Sequence, residues 1–342
     1  MRAALMERGR IWVDDPPEPI PGRGQVLVKS AACGICGSDL HAAAHTEEFV
    51  ATSLEAGGAF KLTSLDPVVL GHEFCAEVVD FGPDTARRFR AGDLVCSVPM
   101  LRASPAIPIG YSTQTPGGFA QYMLLSEDLL IAVPTGTPAP IAALTEPMAV
   151  GLHAVRKARL RGSEAALVLG CGPVGLAVIT ALKAAGIGPV VAADYSAGRR
   201  AFAAGQGADI SVDPRHENAF SHPDLKKPED VVIFECVGVP GMLDNIFVNA
   251  PRNARIVVVG VCLQMDHARP LIAVNKELNI QYVLGYTIDE FSESLTSIAD
   301  GRFDVDKLVT AQVGLEGVAD AFTTLRQPDE HAKIIVSPWQ AG

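Results

Sequence analysis

The segment ACGICGSDLH, residues 32–41, places two cysteines, a serine, an aspartate and a histidine within ten residues. Cys33 and Cys36 have the spacing of a redox pair or of half a structural zinc site. A structural zinc needs four ligands, and the chain contains no second CxxC pair. A redox pair belongs beside a strand–helix unit, whereas this region is rich in glycine and short apolar runs. Neither pairing is favoured, and we expect Cys33 to fill apolar space.

Three further residues with metal-binding chemistry follow downstream. His72 and Glu73 are adjacent in VVLGHEFCAEVV, and Glu146 precedes a proline in LTEPMAVGLHA. Each has an ordinary explanation when it is taken alone. His72 would be a hydrogen-bonded core histidine, and Glu146 a carboxylate beside the N-terminus of a helix. It is their combination with the cysteine segment that points to a site.

A second motif has the chemistry of dinucleotide binding. In LVLGCGPVGLAVI, three glycines form G-x-G-x-x-G directly after an apolar run. They allow a tight turn, the close approach of a pyrophosphate and helix–sheet packing, while the helix N-terminus attracts the anion. Asp194 ends the next apolar run, where a carboxylate binds the ribose hydroxyls and repels a 2′-phosphate, which favours NAD over NADP. The predicted coenzyme residues are Gly170, Gly172, Pro173, Val174, Gly175, Asp194 and Arg199, the last of which either faces solvent or flanks the adenine.

Two regions of the chain differ in their pattern of apolar residues, and these patterns predict the elements that position the residues above. The first 140 or so residues carry short alternating apolar runs between glycines and prolines, which is typical of a β-rich domain. From Ala165, continuous apolar runs alternate with helix-like stretches, which predicts a doubly wound parallel sheet of Rossmann type. After about residue 283, two amphipathic helices and the strand HAKIIVSP are too short for a third domain. We therefore predict a catalytic domain of 1–143 and 284–342, and an NAD-binding domain of 144–283.

Composition limits the classes of partner. The chain has 342 residues, 48% of them hydrophobic and 20% charged, with a net charge of −11 and no Lys/Arg run, which argues against nucleic acid. No apolar run approaches the roughly 20 residues of a membrane span, and the N-terminus lacks a secretory apolar stretch. Seven scattered cysteines do not form a disulfide pattern. We expect a cytoplasmic protein that acts on a small molecule.

The motifs CGICGSDLH, GHE, EPMAV and the glycine fingerprint occur in the order found in zinc-containing medium-chain alcohol dehydrogenases. The chain resembles that family over nearly its full length, most closely the sorbitol, butanediol and threonine dehydrogenase branch. Further matches are GDLVCSVP, PGGFAQYML, FECVG and HAKIIV. The resemblance implies an α/β protein with a GroES-like β-rich catalytic domain and a Rossmann domain, one catalytic zinc per subunit, NAD as coenzyme, and a homodimer or homotetramer.

The resemblance also implies roles for individual residues. A thiolate, an imidazole and carboxylate oxygen would leave one coordination position of a catalytic zinc open. The implied metal ligands are Cys36, His72, Glu73 and Glu146, where either glutamate ligates zinc directly or through water. The implied catalytic residues are Ser38, His41 and Glu73, the first two as a proton relay. A helix cap and a surface histidine are the alternatives for Ser38 and His41.

Two departures from the family leave the substrate open. The region after GDLVCSVP contains only Cys96 where the family commonly has four clustered cysteines, so we expect no structural zinc. The stretch 42–66 is longer than usual and carries Phe49 and Phe60. It forms either a wall or lid of the pocket or a surface insertion. Because these variable stretches are mostly apolar, they favour an apolar or cyclic secondary alcohol or its ketone.

Three functions are therefore considered. The main hypothesis is a zinc-dependent oxidoreductase that transfers hydride between a secondary alcohol or ketone and NAD. The second is a polyol or amino-alcohol dehydrogenase of the same architecture, which polar residues in the pocket would favour. The third is a dinucleotide-binding protein that has lost catalysis, which the intact set of candidate ligands argues against.

Overall fold

The computed structural model describes residues 1–225, 230–327 and 329–340. The chain forms two compact units. The first comprises Met1–Glu146, Val309–Gln327 and Lys333–Gly342, and the second Pro147–Leu308 and Pro328–Ala332. This division groups 284–308 with the second unit, whereas the sequence-based bounds placed them in the catalytic domain. Those bounds stay a prediction, and their last two residues, 341 and 342, lie outside the described part.

The first unit begins with nine strands. They are β1 (Ala3–Glu7), β2 (Arg10–Asp14), β3 (Gln25–Gly34), β4 (Glu73–Phe81), β5 (Leu94–Ser97), β6 (Met100–Leu101), β7 (Ile107–Pro108), β8 (Tyr122–Ser126) and β9 (Leu130–Ala132). The helices are α1 (Gly37–Ala44), α2 (Thr46–Glu55), α3 (Ala139–Ala142) and α4 (Thr145–Lys157), the last of which starts at the end of this part of the unit. The expectation of a β-rich region with frequent turns is confirmed here.

The second unit contains a six-stranded parallel sheet in the order β12-β11-β10-β13-β14-β15. Its strands are β10 (Ala165–Leu169), β11 (Val190–Ala193), β12 (Ile210–Val212), β13 (Val231–Glu235), β14 (Arg255–Val258) and β15 (Asn279–Tyr282). Its helices are α5 (Pro173–Ala184), α6 (Ala197–Gly205), α7 (Met242–Asn249), α8 (Pro270–Lys276) and α9 (Ile288–Ala299). Every residue of β10, β11 and β13 is buried, as the continuous apolar runs predicted. The doubly wound Rossmann sheet is confirmed.

The chain then returns to the first unit with β16 (Val309–Val313), α10 (Val318–Thr324) and β17 (Lys333–Val336). Strand β17 joins a seven-stranded sheet in the order β16-β17-β3-β4-β5-β9, with β8 also paired to β3. The register places Gly34 of β3 opposite both Ile335 of β17 and Glu73 of β4. Three segments that are distant in sequence therefore meet at one end of this sheet. No described helix has the length and apolar character to span a membrane.

Candidate metal centre and coenzyme site

Three of the predicted metal ligands lie together at that end of the sheet. Cys36 is the N-cap of α1, Glu73 is the first residue of β4, and His72 directly precedes it. The Cys36 Sγ, a ring nitrogen of His72 and a carboxylate oxygen of Glu73 all lie within 4.8 Å of one another. His72 is 5% exposed and Glu73 is fully buried. The structure thus brings a thiol, an imidazole and a carboxylate into one buried group.

Asp39 lies next to two members of this group, Cys36 and His72. Its Oδ2 accepts a hydrogen bond of 2.9 Å from the backbone N–H of Cys36, and its Oδ1 lies 3.3 Å from His72 Nδ1. These two facing atoms are buried, and neither has a hydrogen-bond partner of standard geometry among the described residues. Burial lowers the pKa of His72, but Asp39 and Cys36 together raise that pKa well above its ordinary value. A carboxylate that orients a histidine from Nδ1 leaves Nε2 for a metal, which is the usual outer arrangement of zinc sites.

Lys333 provides a buried positive charge on the other side. Its Nζ lies 2.8 and 2.7 Å from the two carboxylate oxygens of Glu73 and donates a third bond of 3.1 Å to the carbonyl of Ile35. Burial lowers the pKa of Lys333, but Glu73 and the nearby Cys36 raise it above its ordinary value. Lys333 therefore stays charged and fixes the orientation of the Glu73 carboxylate.

Glu146 is not a member of the group of three. It is the second residue of α4, and its negative charge contributes to raising the pKa values of Tyr111 and Lys333. Those effects put Glu146 within electrostatic range of the centre. Its role as a direct or water-mediated ligand stays a prediction.

The two predicted relay residues are both on α1. Ser38 is in the first turn, and its Oγ accepts a hydrogen bond of 2.7 Å from the Tyr111 hydroxyl. Burial raises the pKa of Tyr111 well above its ordinary value, and Asp39 and Cys36 add to that effect. His41 is half-buried in the last turn, where burial and then His45 lower its pKa. Both effects favour the neutral form of the His41 ring, and its role in a proton relay stays a prediction.

The long stretch 42–66 packs beside this centre. It contains α2, whose Phe49 is 6% exposed and lies with its ring centroid 5.1 Å from that of Phe60. Both rings contact Tyr111, at centroid distances of 5.7 and 4.5 Å, and the Tyr111 ring lies 4.9 Å from the ring of His72. Phe49 and Phe60 thus join an aromatic cluster with Tyr111 that reaches a candidate metal ligand, whereas most of 51–66 is exposed, and the choice between pocket wall or lid and surface insertion stays open.

The glycine turn of the second unit has the geometry that its sequence predicts. A Cβ at Gly175 would lie 1.9 Å from the carbonyl oxygen of Gly170, and Gly170 has a φ of 89°. A Cβ at Gly172 would meet no atom closer than 3.9 Å, so space is open there. Gly172 is the N-cap of α5 and has no side chain to cap it, and Pro173 and Val174 form its first turn. A helix N-terminus of this kind offers backbone N–H groups to a phosphate.

Asp194 follows β11 and faces the glycine turn. Its carboxylate accepts hydrogen bonds of 2.9 Å from the N–H of Cys171 and 2.8 Å from the N–H of Ser196, and it lies 3.9 Å from the guanidinium of Arg199. Two further arginines nearby are held by another acid. Asp213 lies 3.1 Å from the guanidinium of Arg200 and 2.6 Å from that of Arg215. The positive charges around Asp194 are therefore already paired.

Three contributors were missed in the sequence: Asp39, Lys333 and Tyr111. Asp39 stood in the quoted motif, and its place three residues after Cys36 was a usable signal. Lys333 interrupts the apolar run of HAKIIV, and a single charge in a buried strand indicates a buried partner. No local pattern distinguishes Tyr111.

Comparison with known proteins identifies the family. Residues 22–135 match the alcohol dehydrogenase GroES-like domain, and residues 173–300 match the zinc-binding dehydrogenase domain. The chain is 33% identical to (R,R)-butanediol dehydrogenase of Bacillus subtilis over 353 aligned residues, which cover 99% of this chain and 100% of that protein. It is 28% identical to sorbitol dehydrogenase of the same organism, with coverage of 99% and 97%.

Solved structures show the same similarity. The crystal structure of 2R,3R-butanediol dehydrogenase from Bacillus subtilis matches with a TM-score of 0.82 and 30% identity, covering 98% of this chain and 99% of that one. A zinc-binding dehydrogenase from Sinorhizobium meliloti, solved with NADP bound, matches with a TM-score of 0.84 and 26% identity, with coverage of 98% and 99%. The chain belongs to the zinc-containing medium-chain alcohol dehydrogenase family. It is a zinc-dependent alcohol oxidoreductase that uses a nicotinamide dinucleotide, and the thiol, imidazole and carboxylate donors described above fit zinc.

Proposed function

We propose that this chain transfers hydride between an apolar secondary alcohol, or the corresponding ketone, and NAD, with one catalytic zinc per subunit. The observation that carries the proposal is the buried group of Cys36, His72 and Glu73. A retired site would have no physical need for these groups, because buried polar and charged groups are costly unless they are paired. The first unit holds this group, and the second unit holds the glycine turn.

The chain's own residues divide the work as follows. Zinc bound here supplies a Lewis acid for the substrate oxygen. Cys36 and His72 hold the metal, together with Glu73 or Glu146. Asp39 orients His72. Ser38 and His41 then carry the proton away from the alcohol.

Asp194 supports NAD rather than NADP as the coenzyme. A 2′-phosphate would approach this carboxylate, while the neighbouring Arg200 and Arg215 are engaged by Asp213. We expect Asp194→Asn to weaken NADH binding about tenfold and to strengthen NADPH binding, because the repulsion is removed. Fluorescence titration of both coenzymes measures this ratio. Asp209→Asn, at a carboxylate paired with Lys183 in the same unit, is the matched control and should change neither affinity. An unchanged NADPH affinity in Asp194→Asn would refute the NAD assignment.

The aromatic cluster supports an apolar substituent on the carbinol carbon. Phe49, Phe60 and Tyr111 form it, and the one phenol it contains already donates to Ser38. Such a wall offers apolar contact but no spare hydrogen-bond donor for extra substrate hydroxyls, because the single phenol hydrogen is already used. The second candidate is a diol or polyol dehydrogenase. It is favoured by the names of the butanediol and sorbitol dehydrogenases that the chain resembles.

The test is NADH formation by the zinc-loaded protein on a panel of alcohols. The panel runs from sorbitol and threonine through butanediol to cyclic and long-chain secondary alcohols. Turnover concentrated on the apolar alcohols supports the first candidate, and turnover concentrated on polyols or butanediol supports the second. Cys36→Ala should abolish turnover while NADH binding stays intact, since the thiolate serves the metal and not the coenzyme. Normal turnover in Cys36→Ala would contradict the metal assignment.

Two features bear on assembly and compartment. Strand β15 is the last strand of the parallel sheet, and its four residues are exposed, including Ile280 and Tyr282. Pairing of this edge with a second copy would cover them, so the proposal includes a homodimer or homotetramer, which light scattering can test. All seven cysteines are free thiols, which fits a cytoplasmic location.

A further inference from the structure

We propose that Tyr111 is a positioning residue for Ser38 and fixes the direction in which the Ser38 hydroxyl passes a proton. This inference rests on the alcohol dehydrogenase function proposed above. The Tyr111 hydroxyl donates its hydrogen to Ser38 Oγ at 2.7 Å, and Tyr111 is 6% exposed. The phenol side of the bond is therefore shielded from water, while Ser38 is partly buried.

The effect follows from the capacity of a serine hydroxyl, which has one hydrogen to donate and two lone pairs. The Tyr111 hydrogen occupies one lone pair of Ser38. The remaining lone pair accepts the hydrogen of the alcohol, while the Ser38 hydrogen leaves toward the relay that ends at His41. One O–H bond forms on Ser38 as another breaks, so the atoms and charge of Ser38 balance. When the Ser38 hydrogen leaves before the alcohol hydrogen has fully arrived, the Ser38 oxygen carries a partial negative charge, and the hydrogen bond from Tyr111 stabilises that charge.

The long stretch 42–66 holds Tyr111 in this place. Its ring is packed between Phe60, Phe49 and His72, at centroid distances of 4.5, 5.7 and 4.9 Å. Its backbone carbonyl accepts a hydrogen bond of 2.9 Å from the N–H of Lys61, at the end of the same stretch. The ring contacts on several sides leave the phenol little freedom to turn away from Ser38. The long stretch 42–66 thus helps to position the proton relay through Tyr111.

Tyr111→Phe tests the proposal, because it keeps the ring packing and removes only the hydroxyl. The rate of hydride transfer is measured in single turnovers of the zinc-loaded enzyme with NAD and an alcohol that the panel shows to be active. We expect a rate about fivefold lower, with the KM for the alcohol changed less than twofold, since a lost hydrogen bond of this kind is worth about 1 kcal/mol. Tyr122→Phe, in the same unit but in an edge-to-face contact with Trp339, is the control and should leave the rate unchanged.

A double-mutant cycle separates positioning from general damage. If Tyr111 acts through Ser38, then adding Tyr111→Phe to Ser38→Ala should cause no further loss of rate. The same cycle in urea unfolding of the metal-free protein should also be non-additive, because both variants break one bond. A wild-type rate in Tyr111→Phe, or rate losses that multiply in the double variant, would overturn the positioning role alone. A wild type that oxidises no alcohol would overturn the proposed function, and the positioning role with it.

Discussion

Replacing Lys333 with Met isolates the buried ion pair beside the metal centre. Methionine keeps the apolar stem but removes the charge that faces both oxygens of Glu73. Lys333 is 3% exposed and Glu73 is fully buried, so solvent cannot replace the lost partner. Removing one member of such a pair costs about 3–5 kcal/mol of unfolding free energy, because the other charge is left buried and uncompensated. We expect a loss of that size in the metal-free protein.

Tryptophan fluorescence during urea unfolding measures this loss in the correct unit. Both tryptophans of the chain, Trp12 and Trp339, belong to the first unit, so the signal reports that unit alone. Lys183→Met is the matched control, because its pair with Asp209 is 34% and 41% exposed and contributes at most about 1 kcal/mol. Its effect falls in the second unit and should leave this transition unchanged.

The response to zinc makes the prediction sharper. A bound divalent cation places positive charge beside Glu73, so zinc should stabilise Lys333→Met by more than it stabilises the wild type. We expect the difference between the two proteins to shrink as zinc is added. The reasoning would be refuted by a metal-free Lys333→Met protein that unfolds at the wild-type urea concentration. It would also be refuted if the stability difference between Lys333→Met and the wild type stayed the same after zinc is added.

Two further predictions concern the second unit. Glu164 is fully buried and, although burial opposes ionisation, its bonds to Arg255 and to backbone N–H groups lower its pKa to about 2. Glu164→Gln should therefore lower the free energy of unfolding by about 2–3 kcal/mol at pH 7, and the difference from the wild type should narrow as the pH falls from about 5 toward 2. Thermal unfolding followed by circular dichroism measures this difference. Equal stability of the two proteins at pH 7 would contradict the prediction. Gly172→Ala should weaken NADH binding but leave the melting temperature unchanged, because its Cβ enters open space. Gly175→Ala should lower both the NADH affinity and the melting temperature, because its Cβ meets the backbone. Equal melting temperatures of the two variants would contradict this contrast.

Much of the fold could be predicted from local pattern. Strands buried on both faces consist of continuous apolar residues, so β10, β11, β13 and β14 were evident in the sequence, together with α5 and α6 between them. The bounds of the units are harder to predict from local sequence pattern. Nothing in 284–308 distinguishes a helix that packs on the Rossmann unit from one that belongs to the β-rich unit, because its amphipathic face suits either.

The candidate site divides in the same way. Cys36, His72 and Glu73 were evident because each falls in a motif of characteristic residue types, and the strand register brings them together. Lys333 and Tyr111 depend on partners far away in the chain, and such pairing leaves no periodic signal in either segment. Long-range polar contacts are fixed by the whole fold, and a single sequence does not specify which charge they neutralise.

The pairing of Lys333 with Glu73 also has a consequence for the order of assembly during synthesis. The two residues are separated by 260 positions, and at usual elongation rates that length of chain takes roughly 10–50 s to make. The thiol, the imidazole and the carboxylate therefore leave the ribosome long before Lys333, which pairs with the carboxylate. During that interval, Lys333 cannot contribute to the charge balance around Glu73. The buried ion pair can therefore form only when the last strand has been added to the sheet, so completing this end of the sheet is a late step in assembly.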